Sequence, residues 1–349
     1  MFAISDYNYK LPANLIAQEP AENRDTSRLL LMDRKTGALQ HHDFASLGSL
    51  LNDSDILVVN NTEVIPGRLL GHKKTGGKVE ALILDFANGY KNGDLIFKCL
   101  VKASKRPKPG DTLNFGRDLS ARVLEYEDEI CTLRFLCDTG FEKILYKIGK
   151  PPLPPYIKRE NNEIRENDKV SYQTVYAKQK GAIAAPTAGL HFTRELLEKI
   201  QAMGIKIPNI TLHVGYGTFL PVRVDDIREH KMHSESFSIS KECADIINSA
   251  KSAGKRIIAV GTTCVRTLEY ASDISGMVSP GTGECDMFIY PGYKFKVIDG
   301  LITNFHLPCS TLLMLVSAFT GRRRILDAYK KAINNKYRFY SYGDAMLIL

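Results

Sequence analysis

Histidine titrates closest to neutrality, and three of the eight in this chain stand where an α/β enzyme could use one. His213 lies between Leu212 and Val214 in an alternating segment, so it leaves the face that those two bury. His306 ends an apolar run just before a helix start, and His191 follows the turn Pro186-Thr187-Ala188-Gly189. All three fall near expected carboxyl ends of strands, where open α/β sheets bind ligands. His230-Lys-Met-His233, with Glu235 beside it, could put two imidazoles on one helix face. It is not H-E-x-x-H and has no third ligand at regular spacing, so a hydrogen-bonding site is expected there and no metal. There is no G-x-S-x-G elbow, no G-x-G-x-x-G and no P-loop. Gly215-Tyr216-Gly217-Thr218 is too short for a dinucleotide fingerprint, so neither NAD nor ATP is supported.

Three strand-to-helix turns must position these groups: Pro186 to Gly189, Gly261-Thr262-Thr263, and Pro308-Cys309-Ser310-Thr311. Free N–H groups at helix starts favour polar or anionic ligands, and three such turns imply a pocket at one sheet edge. Ser27 to Phe44 reads as a hairpin, and Asp55 to Val59 as a buried strand. Between about residues 67 and 140, short alternating segments separated by turns such as Gly76-Gly77 and Pro109-Gly110-Asp111 predict a small antiparallel barrel or sandwich. A short helix over Phe141 to Ile148 closes it, and Pro151-Pro152-Leu153-Pro154-Pro155 gives a stiff exit. Beyond that, apolar strands alternate with helices capped by Thr193, Ser240 and Ser310 and stopped by Gly204 and Gly254. The fold class is therefore α/β, with a mainly parallel sheet flanked by helices. The expected boundaries are a discontinuous α/β domain over 1–66 and 150–349 and an inserted domain over 67–149.

The formal charge of +8 over 349 residues favours a polyanionic partner. Seven of the cations fall between Gly321 and Tyr342, with Tyr337, Phe339, Tyr340 and Tyr342 among them. Cations there can hold phosphates while rings stack on bases; a solvated helix face followed by a packed aromatic strand fits equally. Seven cysteines without a C-x-x-C pair read as free thiols in a reducing cytoplasm. The N-terminus lacks a basic-then-apolar signal. The longest apolar run, Ser310 to Phe319, is about half of a membrane span, so no membrane partner is expected.

Taken as a set, the blocks resemble one family in order along nearly the whole chain. They include Tyr172-Gln-Thr-Val-Tyr-Ala177, Ala185-Pro-Thr-Ala-Gly-Leu-His-Phe-Thr193, Thr211-Leu-His-Val-Gly215, Met232-His-Ser-Glu235 and Ala259-Val-Gly-Thr-Thr263. Phe288-Ile-Tyr-Pro-Gly-Tyr293, Thr303-Asn-Phe-His-Leu-Pro308 and Tyr340-Ser-Tyr-Gly-Asp-Ala-Met346 continue the series, with Arg24-Asp-Thr-Ser-Arg28 near the start. They are similar to the tRNA ribosyltransferase-isomerases of the queuosine pathway. The resemblance implies an α/β domain with an inserted β-barrel; a cytoplasmic monomer without a metal is expected alongside it. It implies that S-adenosylmethionine, as co-substrate, donates its ribosyl part to 7-aminomethyl-7-deazaguanine at the wobble position of tRNA. Epoxyqueuosine-tRNA, adenine and methionine would result.

For that chemistry a base must take the 5′-proton acidified by the sulfonium. The order of preference is His213, then His306 and His191, with His233 and Glu235 as helpers; Asp344 or Tyr172 would protonate adenine. Expected substrate contacts are Arg24, Asp25, Arg28, Thr187, Gly189, Phe192, Gly215, Gly217, Thr218, Thr262, Thr263 and Asn304, with Phe192 offering cation–π attraction. Arg322, Arg323, Lys330, Lys331 and Arg338 are the expected tRNA contacts. A tRNA methyltransferase is the first alternative, and it lacks the Gly-rich loop it would need. A non-catalytic tRNA-binding protein is the second, and it leaves the polar turns and histidines without purpose.

Overall fold

Nine strands hydrogen-bond into one sheet in the computed structural model, which describes residues 2–87, 89–91, 93–159 and 166–349. In chain order they are β1 (Arg28–Met32), β2 (Leu39–Asp43), β3 (Ile56–Asn60), β4 (Asn209–Leu212), β5 (Glu235–Ile239), β6 (Ile257–Val260), β7 (Gly281–Cys285), β8 (Gly300–Asn304) and β9 (Ala345–Ile348). Their spatial order is β7-β5-β4-β3-β6-β8-β9-β1-β2. The parallel run that the sequence predicts is the central set β4-β3-β6-β8. Both flanks reverse: β5 and β7 on one side, and β9 on the other, with β1 parallel to β9 and β2 antiparallel to β1. The sheet is mixed.

Strands β3, β6, β8 and β9 are buried at every residue, as strands covered on both faces must be. The cover comes from α1 (Arg194–Ala202), α2 (Lys241–Ser252), α3 (Thr262–Tyr270), α4 (Thr311–Thr320) and α5 (Arg322–Asn334). Thr193, Ser240 and Ser310 each accept from the backbone N–H three residues on, satisfying a donor the helix leaves open. Gly204 and Gly254 take positive φ just past α1 and α2, a conformation that costs glycine little.

The inserted segment is a closed barrel and not a sandwich. Strands Arg68–Lys73, Lys78–Ile83, Asp94–Ala103, Thr112–Asn114, Ser120–Glu127 and Ile130–Leu136 form a ring, closed where the last pairs with Asp94–Ala103. Closure leaves those strands without a free edge, and Phe97, Phe115 and Phe135 fill the interior. The helix Phe141–Ile148 caps it, and Lys150 pairs back with Arg68 at the exit. Among the described residues, no helix is long and apolar enough to cross a membrane.

Candidate active site

Because β4, β6 and β8 are parallel, the residues after each emerge at one edge. A cleft of about 490 Å³ opens there. Its wall takes Ala184 to Ala188 from one turn, Val214 and Thr218 after β4, and Gly261 to Thr263 after β6. Thr303 to Thr311 follow from the end of β8, and Tyr156, Tyr340 and Ser341 close the opposite side. The three polar turns predicted from sequence therefore do meet at one site.

His191 is buried beside it, with Nδ1 2.7 Å from Ser27 Oγ and Nε2 2.9 Å from Asn304 Nδ2. Its ring packs on Phe44. Burial, aided by Arg338 and Arg24, pulls its pKa down to about 3, so the ring is neutral. His306 lines the cleft itself, with Nε2 2.7 Å from Thr303 Oγ1. Its backbone N–H donates to Tyr329 Oη, and its carbonyl accepts from Tyr9 Oη. Desolvation brings it, too, to about 3.

His213 does not line the cleft. It turns toward the short strand pair Thr62–Val64 and Gln179–Ala182, with Nδ1 2.8 Å from Thr62 Oγ1. Burial lowers its pKa and Asp85, from the barrel, opposes the change. The alternation read from sequence is right in sending His213 away from Val214; it is Val214 that faces the cleft.

Glu235 is a buried ion-pair partner. Oε2 pairs with Arg266 Nη1, while Oε1 accepts from the Gly215 N–H at 2.8 Å and from Thr218 Oγ1 at 3.2 Å. Arg266 also donates to the carbonyls of Met287 (3.0 Å) and Cys285 (3.1 Å), and it lines the cleft. Residues 230 to 234 form no helix, so His230 and His233 share no helix face. His233 is exposed, and its ring covers Gly217, where a Cβ would come within 2.6 Å.

Of the remaining predicted positions, Thr187, Thr262, Thr263, Thr218, Tyr172 and Asn304 line the cleft. Thr263 Oγ1 and Asn304 Oδ1 are buried without a hydrogen-bond partner among the described residues. Tyr172 is buried, and desolvation pushes its phenol well above its usual 10. Phe192 is in the core against Phe44, away from the cleft. Gly189 is pressed against Tyr176, whose hydroxyl would lie 2.0 Å from an added Cβ. Arg24 and Asp25 share a short 3-10 turn, in which Arg24 donates to the carbonyls of Leu190 and Val170. Asp344 is wholly engaged by Arg28 and Arg338 and their backbone N–H groups.

On α5, Arg323, Lys330 and Lys331 are exposed, whereas Arg322 pairs with Asp6 at 2.5 Å. Tyr337, Phe339 and Tyr342 are buried, so of the two readings open from sequence they take the packed one, while Tyr340, also buried, borders the cleft. Sequence reasoning missed Arg266, Tyr156, Ser341 and Thr303. Arg266 alone left a trace: a cation within the otherwise uncharged stretch Thr262 to Leu268 of α3.

A family model described as queuosine biosynthesis protein matches residues 4–348. Relatives named S-adenosylmethionine:tRNA ribosyltransferase-isomerase are similar end to end. Those of Acetivibrio thermocellus and Caldanaerobacter subterraneus subsp. tengcongensis are 52% and 51% identical over 348 residues, 99% of both chains. A crystal structure described as S-adenosylmethionine tRNA ribosyltransferase from Thermotoga maritima is 36% identical and superposes with a TM-score of 0.56, covering 99% of this chain and 100% of that one.

Proposed function

The chain belongs to the queuosine biosynthesis family, and from that premise we propose how its own residues carry the reaction. The enzyme transfers and isomerises the ribosyl part of S-adenosylmethionine onto the aminomethyl group of 7-aminomethyl-7-deazaguanine in tRNA. Epoxyqueuosine-tRNA, adenine and methionine are the products. The setting is the cytoplasm.

One observation carries the assignment of the base. Of the three histidines at strand ends, His306 alone lines the cleft. His191 has both ring nitrogens engaged, and His213 faces the barrel side. We therefore place His306 ahead of His213, with Thr303 holding the ring at Nε2 and Nδ1 left to accept the 5′-proton. A neutral imidazole has its lone pair available at working pH, and the burial that keeps it neutral also lowers its basicity, so the proton transfer leans on the acidity that the sulfonium gives the 5′-carbon. The imidazolium formed is disfavoured by burial, which drives it to pass a proton on to the departing adenine. The positive sulfur rests against the faces of Tyr156 and Tyr340, whose centroids are 4.7 Å apart. The charge of Arg266 is cancelled by Glu235, so it does not repel the cation. Exposed Arg323, Lys330 and Lys331 hold tRNA phosphates.

Incubation with labelled S-adenosylmethionine and tRNA carrying the modified base tests this reading. Free adenine plus methionine is expected, whereas S-adenosylhomocysteine would mean methyl transfer. His306→Ala should lose turnover by two orders of magnitude or more, with tRNA binding unchanged, and His213→Ala should keep most of it. Full turnover in His306→Ala would remove it as the base.

A further inference from the structure

We infer that Asn304 is a hydrogen-bond acceptor of fixed orientation, taking a neutral N–H or O–H donor from the nucleoside half of the sulfonium substrate. This rests on the reaction proposed above. Asn304 is 2% exposed at the end of β8. Its amide nitrogen lies 3.2 Å from the Tyr340 carbonyl and 2.9 Å from His191 Nε2. A carbonyl oxygen can only accept, so the nitrogen must occupy this side and both of its hydrogens are used. Oδ1 is then turned away from both, and it has no partner among the described residues although Asn304 lines the cleft. Buried carbonyl oxygens left unpaired are costly and uncommon, so a fold that keeps one beside a cleft is keeping it for a ligand.

The orientation is reinforced from behind. Because Nε2 accepts from Asn304, the proton of neutral His191 sits on Nδ1 and is donated to Ser27 Oγ. The Ser27 hydroxyl in turn donates to the Arg24 carbonyl at 3.2 Å. Every link therefore runs one way, and His191 is a positioning residue. Its depressed basicity keeps the ring neutral, which preserves that direction. Exclusion narrows the ligand group to a neutral donor, and the sulfonium substrate is taken as its source. A carboxylate or phosphate oxygen cannot donate to Oδ1. Among the described residues, no carboxylate side chain lines the cleft to compensate a buried ammonium. Neutral donors on the nucleoside are the ribose hydroxyls and the adenine amino group.

S-adenosylhomocysteine, which has the same nucleoside and no reactive sulfonium, is the probe. Its binding is compared by calorimetry with analogues lacking the 2′-hydroxyl, lacking the 3′-hydroxyl, or dimethylated at the adenine amino group. The wild type should bind one analogue on the order of 10- to 100-fold more weakly. Asn304→Leu should weaken the parent probe similarly and lose that discrimination to within about twofold. The analogue affected identifies the donor as sugar or base. Undiminished discrimination in a folded Asn304→Leu variant, or no discrimination by the wild type, overturns the inference. Should Asn304→Leu not fold, nitrogen NMR of the 15N-histidine-labelled wild type decides. A His191 proton on Nδ1 from pH 8 to pH 5 supports the chain, and a proton on Nε2 overturns it. Wild-type protein that meets these binding tests yet releases no adenine would sink the proposed reaction while leaving the acceptor role standing. Adenine release with the wrong tautomer or unaltered discrimination would do the reverse.

Discussion

Arg266→Met isolates the buried pair that builds one wall of the cleft. Arg266 and Glu235 side chains are 6% and 4% exposed, so solvent screens their attraction little. Without the guanidinium, Glu235 keeps the Gly215 N–H and the Thr218 hydroxyl on Oε1, but Oε2 faces a methyl. Breaking such a pair from one side costs about 3–5 kcal/mol, and the carbonyls of Cys285 and Met287 also lose their donor. A loss of about 4 kcal/mol is therefore expected. Glu235→Gln strands the cation instead and should cost about 3 kcal/mol. The double variant has no buried charge left, so it should fall about 3 kcal/mol short of the sum. The chain has no tryptophan, so urea unfolding is followed by circular dichroism and tyrosine emission together. The Glu235 bonds anchor the 215–218 turn, so the KM for S-adenosylmethionine should rise in both single variants. Single variants within about 1 kcal/mol of wild type, or a coupling below about 0.5 kcal/mol, would refute the view that the pair is electrostatically tight.

Three further outcomes follow from the same geometry. His191 and His306 are held near 3 against an unfolded value near 6.5, so below pH 6.5 the unfolded chain binds protons that the folded one refuses. Their contribution is complete above pH 6.5 and is lost toward pH 3, at about 1.4 kcal/mol per pH unit for each; His191→Phe should flatten the slope of unfolding free energy measured from pH 6.5 to pH 4. Charge reversal at Lys330 and Lys331 should weaken tRNA binding in filter assays and flatten its salt dependence by about 0.7–0.9 for each phosphate no longer neutralised, with adenine release at saturating tRNA preserved. Gly181→Ala would put a Cβ 2.7 Å from the His213 ring at a φ of +155°, so His213 must give up Thr62 and the melting temperature should drop, while Gly254→Ala, with open space beside it, should cost only the backbone strain.

What the sequence made legible was local. Helix caps at Thr193, Ser240 and Ser310 are decided within four residues, and so is the alternation that builds the barrel strands. The apolar runs of β3, β6 and β8 likewise announce strands covered on both faces. Illegible was whatever depends on distant pairing. Strand β7, Gly281–Cys285, has little apolar pattern and exists because it pairs with β5. The direction of β9 is set by its neighbours, and no residue in Ala345–Ile348 encodes it. The same holds for the histidines: alternation gave the face of His213, but which face borders the cleft depends on where Thr62 and the barrel lie. Arg266 was missed because its partner is 31 positions away. The aromatics beside the C-terminal cations were ambiguous locally, and only packing around Phe305 and Tyr329 assigns Tyr337 and Phe339 to the core.

The reversed half of the sheet explains how the polar chain behind the cleft is assembled. In an all-parallel sheet the ligand edge receives only the exits of strands. Here β9 runs against β8, with Ala345 opposite Asn304, so the segment entering β9 arrives at the edge where β8 leaves. That entry brings the Tyr340 carbonyl to the Asn304 amide. Strand β1 is parallel to β9, so its own entry, Arg24 to Ser27, arrives at the same edge and supplies the hydroxyl that takes the His191 proton. Exits contribute the side chains that face the ligand, and entries contribute the groups that fix their orientation. The half-buried ion pair of Asp344 with Arg28 ties those two entries to each other, which accounts for a carboxylate so fully engaged standing beside the site without lining it.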